Sequence, residues 1–406
     1  MKNPSPLLSA DEALSTLLSA ARPIADIETV PTLKANGRIL AEDICSAINV
    51  PGADNSQMDG YAINSGDAQA HTPILVSQRI AAGHVGVALQ GGTAARIFTG
   101  AVMPDGADAV IMQEQCELIQ TGTEVAIRLL HVPKAGEWVR RIGEDIRKDS
   151  VILTSGTRLR AQELGLAASV GLPSLKVKRQ LRVAIFFTGD ELIMPGEPLT
   201  SGAIYNSNRF LITALLENCD CQISDFGIVP DSLDATRTTL RRAAQEHDVV
   251  ITSGGVSVGE EDHIKPAVEA EGRLNLWQIA IKPGKPLAFG EVGSAFFLGL
   301  PGNPVSSFVT FLLFVRPFLM RLQGIRDVAP KSFLVRADFD WSKADKRNEF
   351  LRAKLNDQGG LDLYINQGSA VLSSTVWGDG LIDNPPGTII RRGDMVKFIP
   401  FSEMMS

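Results

Sequence analysis

The chain has 406 residues, 44% of them hydrophobic and 21% charged, and a net charge of −7. That length is too great for a single core and predicts roughly two to four globular domains. The acidic balance and the lack of a basic run give no support to a nucleic-acid partner. The cysteines are Cys45, Cys116, Cys219 and Cys221. Cys219-Asp-Cys221 is spaced too closely for a zinc knuckle, so idle or buried thiols in a reducing cytosol are expected. The start, Met-Lys-Asn-Pro-Ser-Pro, lacks the apolar core of a secretory leader. The most apolar segment, residues 308–320, is interrupted by Arg316 and Pro317 and falls short of the ~20 residues a membrane span needs. The expectation is a soluble cytoplasmic protein with no membrane partner.

Ser9-x-x-Glu12 is a capping box, and Leu14, Leu17 and Leu18 give the helix behind it an apolar face. Residues 24–50 read as an extended segment with short strands. Residues 51–140 are rich in Gly, Ala, Thr and Val, with alternating runs at 74–80, 107–112 and 125–130. They predict a small β-rich module inserted in an N-terminal region spanning 1–180. A helix is expected over 161–170, stopped by Gly171 and Pro173. From Leu181 the pattern changes to strands near 182–187, 222–229 and 248–252, with helices near 207–218, 233–246 and 261–270. That alternation predicts a parallel sheet with crossover helices over 181–325. Residues 326–406 return to short strands and turns and predict a C-terminal β module. The fold class is therefore multidomain α/β, with a central parallel-sheet domain between β-rich regions.

In an open parallel sheet, ligands bind beyond the carboxyl ends of the strands. The first strand ends in Thr188-Gly189-Asp190-Glu191 and the second in Pro230-Asp231. The third empties into Ser253-Gly254-Gly255-Val256-Ser257-Val258-Gly259, followed by Glu260, Glu261 and Asp262. Glycines let backbone N–H groups turn toward an anion, and a helix start adds a favourable dipole. No Gly-Lys-Ser/Thr follows, so this is not a Walker A loop. A fourth strand, over 274–281, ends in Lys282-Pro-Gly-Lys285-Pro. The chain then runs down over 287–292 and up over 295–300, which places Leu300-Pro301-Gly302-Asn303-Pro304 on the same rim. Each loop has a plainer reading. Asp231 is placed to cap the next helix, Asp190 and Glu191 to form a solvated turn, and the lysines to flank an exposed turn. Together the loops predict a site for a phosphate-like ligand handled with a divalent cation and lysine.

Seven stretches resemble one family. They are Asp54-Asn-Ser-Gln-Met-Asp59-Gly-Tyr-Ala62, Thr99-Gly-Ala-Val-Met-Pro104-Asp-Gly-Ala-Asp108, Arg141-Ile-Gly-Glu-Asp145-Ile, Thr188-Gly-Asp-Glu191-Leu, Ser253-Gly-Gly-Val-Ser-Val-Gly259, Lys282-Pro-Gly-Lys285-Pro and Leu300-Pro-Gly-Asn-Pro304. In this order they look like molybdopterin molybdenumtransferases of the MoeA type, related to the gephyrin E domain. Val50-Pro-Gly-Ala53 stands where that family often has Pro-Pro-Phe. The resemblance implies a molybdopterin-binding central domain with a barrel-like C-terminal module. The implied reaction inserts molybdate into adenylylated molybdopterin and releases AMP. It further implies an elongated homodimer, in which Asp59, Thr99 and Asp145 face the partner's sheet rim.

On the same grounds, Asp262 and Glu191 would hold Mg²⁺, with Asp231 nearby. Asp59, Asp145, Glu191, Asp231 and Asp262 would form the catalytic set. Thr99, Gly254, Gly255, Ser257, Lys282, Lys285, Pro301, Pro304, Arg352 and Ser369 would bind substrate. Pathway partners would be molybdopterin adenylyltransferase and proteins that mature molybdoenzymes. Two other activities share this domain: molybdopterin adenylyltransferase itself, and a non-catalytic scaffold like the gephyrin E domain. The additional N- and C-terminal regions disfavour the first, and the lack of a fused adenylyltransferase domain disfavours the second.

Overall fold

The computed structural model describes residues 7–255 and 263–405. The chain divides into two compact units, one made of Thr29–Asn36 and Leu40–Lys176, the other of Met1–Glu28, Gly37–Ile39 and Val177–Ser406. The first holds a six-stranded sheet in the order Ala109–Met112, Gly60–Ile63, Thr93–Ile97, Pro73–Ile80, Glu124–Leu129, Cys116–Thr121. Period-two alternation divides its side chains. Tyr61, Ile63, Ile111, Ile127 and Leu129 pack on one face, and Ala62, Ile80, Ile97 and Val110 on the other. Glycine is required at position 60, because a Cβ there would stand 1.9 Å from the Ile111 carbonyl oxygen. The helix expected over 161–170 is Ala161–Ser169, and Gly171 follows at φ +81°.

The second unit is built on a six-stranded sheet. Its order is Gln222–Val229, Arg182–Thr188, Val249–Ser253, Ala295–Leu300, Pro286–Val292, Gly272–Gln278. The first four strands are parallel, and Pro286–Val292 runs antiparallel between its two neighbours. Both faces are covered, so the inner strands Arg182–Thr188, Val249–Ser253 and Ala295–Leu300 are buried at nearly every position. In Arg182–Thr188, Val183, Ile185 and Phe187 enter one core while Ala184 and Phe186 enter the other. Ser207–Asn218 and residues 304–322 cover the first face, and Leu233–Glu246 and Ile264–Glu271 the second. The helix expected over 261–270 thus begins at Ile264 among the described residues.

Residues 304–322 correct one expectation. Pro304–Leu322 is a continuous 19-residue helical run, apolar and long enough to cross a membrane by composition. Its most apolar window is 83% buried within the protein, as a core helix would be. Pro317 lacks the amide that would bond the Leu313 carbonyl, and the chain passes through a π segment, Phe311–Val315, just before it.

The C-terminal strands close on themselves. Asn348–Leu355 pairs with Gly360–Leu363, then Phe333–Ala337, Met395–Pro400 and Gly380–Asn384 follow, and the last pairs back with Asn348–Leu355. Ala337, Leu351, Leu361, Ile382 and Phe398 fill this five-stranded barrel. The strand expected over 274–281 ends at Gln278. Ile281–Lys282 instead pairs in parallel with Asn348 and Glu349 of the barrel. That short pairing carries the two-lysine loop against the C-terminal module.

Candidate functional site

Chain order reverses between Arg182–Thr188 and Val249–Ser253. From the first the chain leads to Gln222–Val229 at one edge, and from the second to Gly272–Gln278 at the opposite edge. A crevice opens at such a switch point. Here it is a cavity of ≈ 830 Å³, with Phe187, Thr188, Ser253 and Gly254 at its strand ends. Gly254 and Gly255 turn at φ +96° and +62°, the left-handed region that side chains resist. A Cβ on Gly254 would also meet the Thr188 carbonyl oxygen at 3.0 Å.

The loop Leu300-Pro301-Gly302-Asn303-Pro304 forms the adjoining wall. The Pro301 carbonyl accepts bonds from the Ser253 and Ser307 hydroxyls, both at 2.9 Å. Asn208 Nδ2 donates to Ser253 Oγ at 2.8 Å and to the Gly302 carbonyl at 2.7 Å, which joins helix, glycine loop and proline loop. Pro304 opens the helix Pro304–Thr310, where its missing N–H costs nothing. The orphan amide of Val305 is satisfied by the Ser369 carbonyl at 3.0 Å. Thus Ser369, from the C-terminal module, is fixed against the rim.

Arg352 anchors that same segment from behind. It is fully buried and is not among the residues lining the cavity. Its Nη2 donates to the Gly368 carbonyl at 3.1 Å and its Nε to Ser374 Oγ at 3.0 Å. Gln367 closes the loop with bonds to the Arg352 main chain in both directions. Burial pushes the guanidinium down to about 10. Arg352 does not line the lumen in this geometry; it supports the wall made by Gln367, Gly368 and Ser369.

Three cations line the cavity: Lys282, Lys285 and Arg347. Lys282 Nζ lies 3.0 Å from Glu349 Oε1 and 3.3 Å from Asp345 Oδ2. Glu349 is fully buried, and its other oxygen accepts from Trp341 Nε1 at 2.9 Å and Asn384 Nδ2 at 3.3 Å. Asp345 holds Arg347 through Nε at 3.0 Å and Nη2 at 2.9 Å. The Arg347 guanidinium keeps the Asp345 carboxyl well below the usual carboxylate range. Lys285 is exposed, and no carboxylate pairs with it among the described residues.

Of the residues singled out from sequence, Glu191, Gly254, Gly255, Lys282, Lys285, Pro301, Pro304 and Ser369 line this one cavity. Asp262 and Ser257 lie outside the described residues. Asp231 is half-buried and not in the lining; Ser232, not Asp231, caps the helix Leu233–Glu246. Asp59 and Thr99 belong to the other unit, where they meet. Thr99 donates its amide and its hydroxyl to Asp59 Oδ1, each at 2.8 Å, and these bonds lower the Asp59 pKa. Asp145 is exposed in that unit, its amide bonded to the Val50 carbonyl at 3.0 Å. Sequence reasoning missed Asp345, Arg347 and Glu349. Their alternating charge, Asp-x-Arg-x-Glu, was the available signal.

Comparison with known proteins accounts for both units. Residues 8–171 match the MoeA N-terminal region (domains I and II), 184–321 a probable molybdopterin binding domain, and 335–401 the MoeA C-terminal region (domain IV). A molybdopterin molybdenumtransferase from Haemophilus influenzae is 41% identical over 98% of this chain and 100% of its own length. One from Nostoc is 38% identical over 85% of this chain and 81% of its own. The crystal structure of a molybdopterin biosynthesis MoeA protein from Pyrococcus horikoshii OT3 superposes with a TM-score of 0.83 at 30% identity, covering 97% of this chain and 100% of that one. The chain belongs to the MoeA family of molybdopterin molybdenumtransferases.

Proposed function

We propose that the chain is a molybdenumtransferase of molybdenum cofactor biosynthesis, inserting molybdate into adenylylated molybdopterin with release of AMP. The observation that carries this is the near full-length identity to the Haemophilus influenzae enzyme, combined with a cationic cavity at the sheet's switch point. The cavity volume lies in the range of small-molecule sites. Gly254 and Gly255 bring main chain close to a bound anion, and Lys285 offers a positive group whose charge is not already taken by a described carboxylate. Ser369 and Gln367 close the far wall.

For Mg²⁺ the described lining of the cavity offers one carboxylate. Glu191 is an exposed carboxylate lining the cavity, and Mg²⁺ is commonly held by one or two carboxylates with phosphate and water completing its shell. Glu191 would hold it, with Asp262 as the second carboxylate. Bound there, it would polarise the phosphoanhydride and offset charge on its oxygens. Asp59, Thr99 and Asp145 are proposed to complete the site in a homodimer, and Asp231 to act from the rim. A cytoplasmic location, and contact with the adenylyltransferase before this step and molybdoenzyme maturation proteins after it, accord with this reading.

The test is direct. Purified protein incubated with adenylylated molybdopterin, molybdate and Mg²⁺ should release AMP and form cofactor able to reconstitute an apo-molybdoenzyme. A protein that binds the adenylylated substrate yet releases no AMP would be a scaffold instead.

A further inference from the structure

We infer that Arg347 is an anion-binding residue of the rim cavity, taking a tetrahedral oxyanion through one N–H edge of its guanidinium. The inference rests on the transferase reading of that cavity and adds a ligand outside the sequence motifs. Arg347 lines the lumen, and its side chain is 28% exposed. Two of its guanidinium nitrogens, Nε and Nη2, are spent on Asp345. The Arg347 main-chain amide also donates to Asp345 Oδ1 at 3.0 Å, so backbone and side chain hold the same carboxylate. Nη1 has no partner among the described residues. The fork is thus locked in orientation while one edge stays open, the arrangement that gives arginine its geometric selectivity for oxyanions.

The neighbouring charges support this placement. Asp345 and Glu349 are not part of the lining, whereas Lys282, Lys285 and Arg347 are. The lining thus includes these three cations and not the two acids that pair with Lys282 and Arg347. Lys282 is shared between both acids. Lys285 and the open edge of Arg347 remain for an incoming anion. A tetrahedral anion has several oxygens and is best held from two directions. A lysine supplies a point charge, and an arginine edge supplies direction. Either a phosphate of the adenylylated substrate or molybdate offers this chemistry.

Calorimetric titration of molybdate and of AMP, separately, against wild type, Arg347→Gln and Arg347→Lys tests the inference. Arg347→Gln should weaken at least one anion by roughly 10- to 100-fold, the loss expected for one charge-assisted hydrogen bond. The anion affected identifies the group that Arg347 holds. Arg347→Lys should recover only part of the loss, because charge returns without the fork. If Arg347→Gln does not fold, Arg347→Lys carries the test through its own weakened affinity. Wild-type affinity for both anions in the folded variants would overturn the role of Arg347 and leave the cavity's function standing. A wild-type protein that binds neither anion would overturn both.

Discussion

Lys282 and Lys285 stand three residues apart on one loop but have different surroundings. Lys282 is the cation for a fully buried Glu349, whereas Lys285 is exposed and has no described carboxylate partner. Removing one member of a buried pair leaves the other charge uncompensated. Lys282→Ala should therefore destabilise the protein by about 1–3 kcal/mol, less than a wholly buried pair because the lysine is partly solvated. The double variant Lys282→Ala/Glu349→Gln should regain most of that loss. Lys285→Ala should unfold within about 0.5 kcal/mol of wild type while losing oxyanion affinity. Denaturant unfolding and anion titration on the three variants separate these roles; equal stability of Lys282→Ala and wild type would refute the pairing. Asp345 adds a pH signature. Its carboxyl is held low chiefly by hydrogen bonds from the Arg347 side chain. A lowered folded pKa contributes stability that is present above the unfolded value, about 3.9, and is lost as pH falls through the folded one. Asp345→Asn should be less stable than wild type at pH 7, and the gap should narrow below about pH 4. A gap that stays constant from pH 7 to 3 would show that Asp345 titrates alike folded and unfolded.

The elements that were legible in the sequence carry local, periodic or stereochemical signals. Apolar runs such as residues 182–187 announced buried strands, and Gly171 and the Ser9 box marked helix ends. The rim loops were legible because glycine and proline are dictated by backbone shape. Gly284 is an example. Its φ is +92°, and a Cβ would stand 2.9 Å from Thr310 Oγ1. Gly284→Ala should cost about 1–3 kcal/mol and displace Lys285 from the cavity, weakening anion affinity as well as stability. Stability loss with unchanged affinity would show that the loop does not position Lys285. What escaped the sequence is contact between distant elements. Asp345, Arg347 and Glu349 reach the rim only because Ile281–Lys282 leaves the main sheet to pair with Asn348 and Glu349. A two-residue pairing across more than sixty positions has no periodicity to reveal it. The burial of Arg352 escaped the sequence for a related reason. A strand arginine is usually exposed, and only barrel closure buries this one behind Gly368.

At the scale of the whole molecule, the chain carries two chemically equipped regions in two compact units. One is the rim cavity, and the other holds the Asp59–Thr99 pair. The Asp59–Thr99 pair is not needed for its own sheet to close. Gly60 and Tyr61 make the strand contacts, while the Asp59 carboxylate is exposed and accepts hydrogen bonds from Thr99. Asp59→Asn keeps an oxygen for those bonds, so it should fold normally and lose charge alone. In a two-fold dimer each region is present twice, and a site shared between subunits can be assembled from two different chains. In the proposed homodimer, the Asp59→Asn and Lys285→Ala parents should each be strongly impaired. After random subunit exchange, about half the dimers are mixed, and each carries one site with both substitutions and one with neither. Activity should then return to about a quarter of wild type, read as AMP release from adenylylated molybdopterin. Verified mixed dimers that stay as inactive as their parents, while wild-type dimers survive the same exchange, would show that Asp59 and Lys285 do not serve one site across subunits.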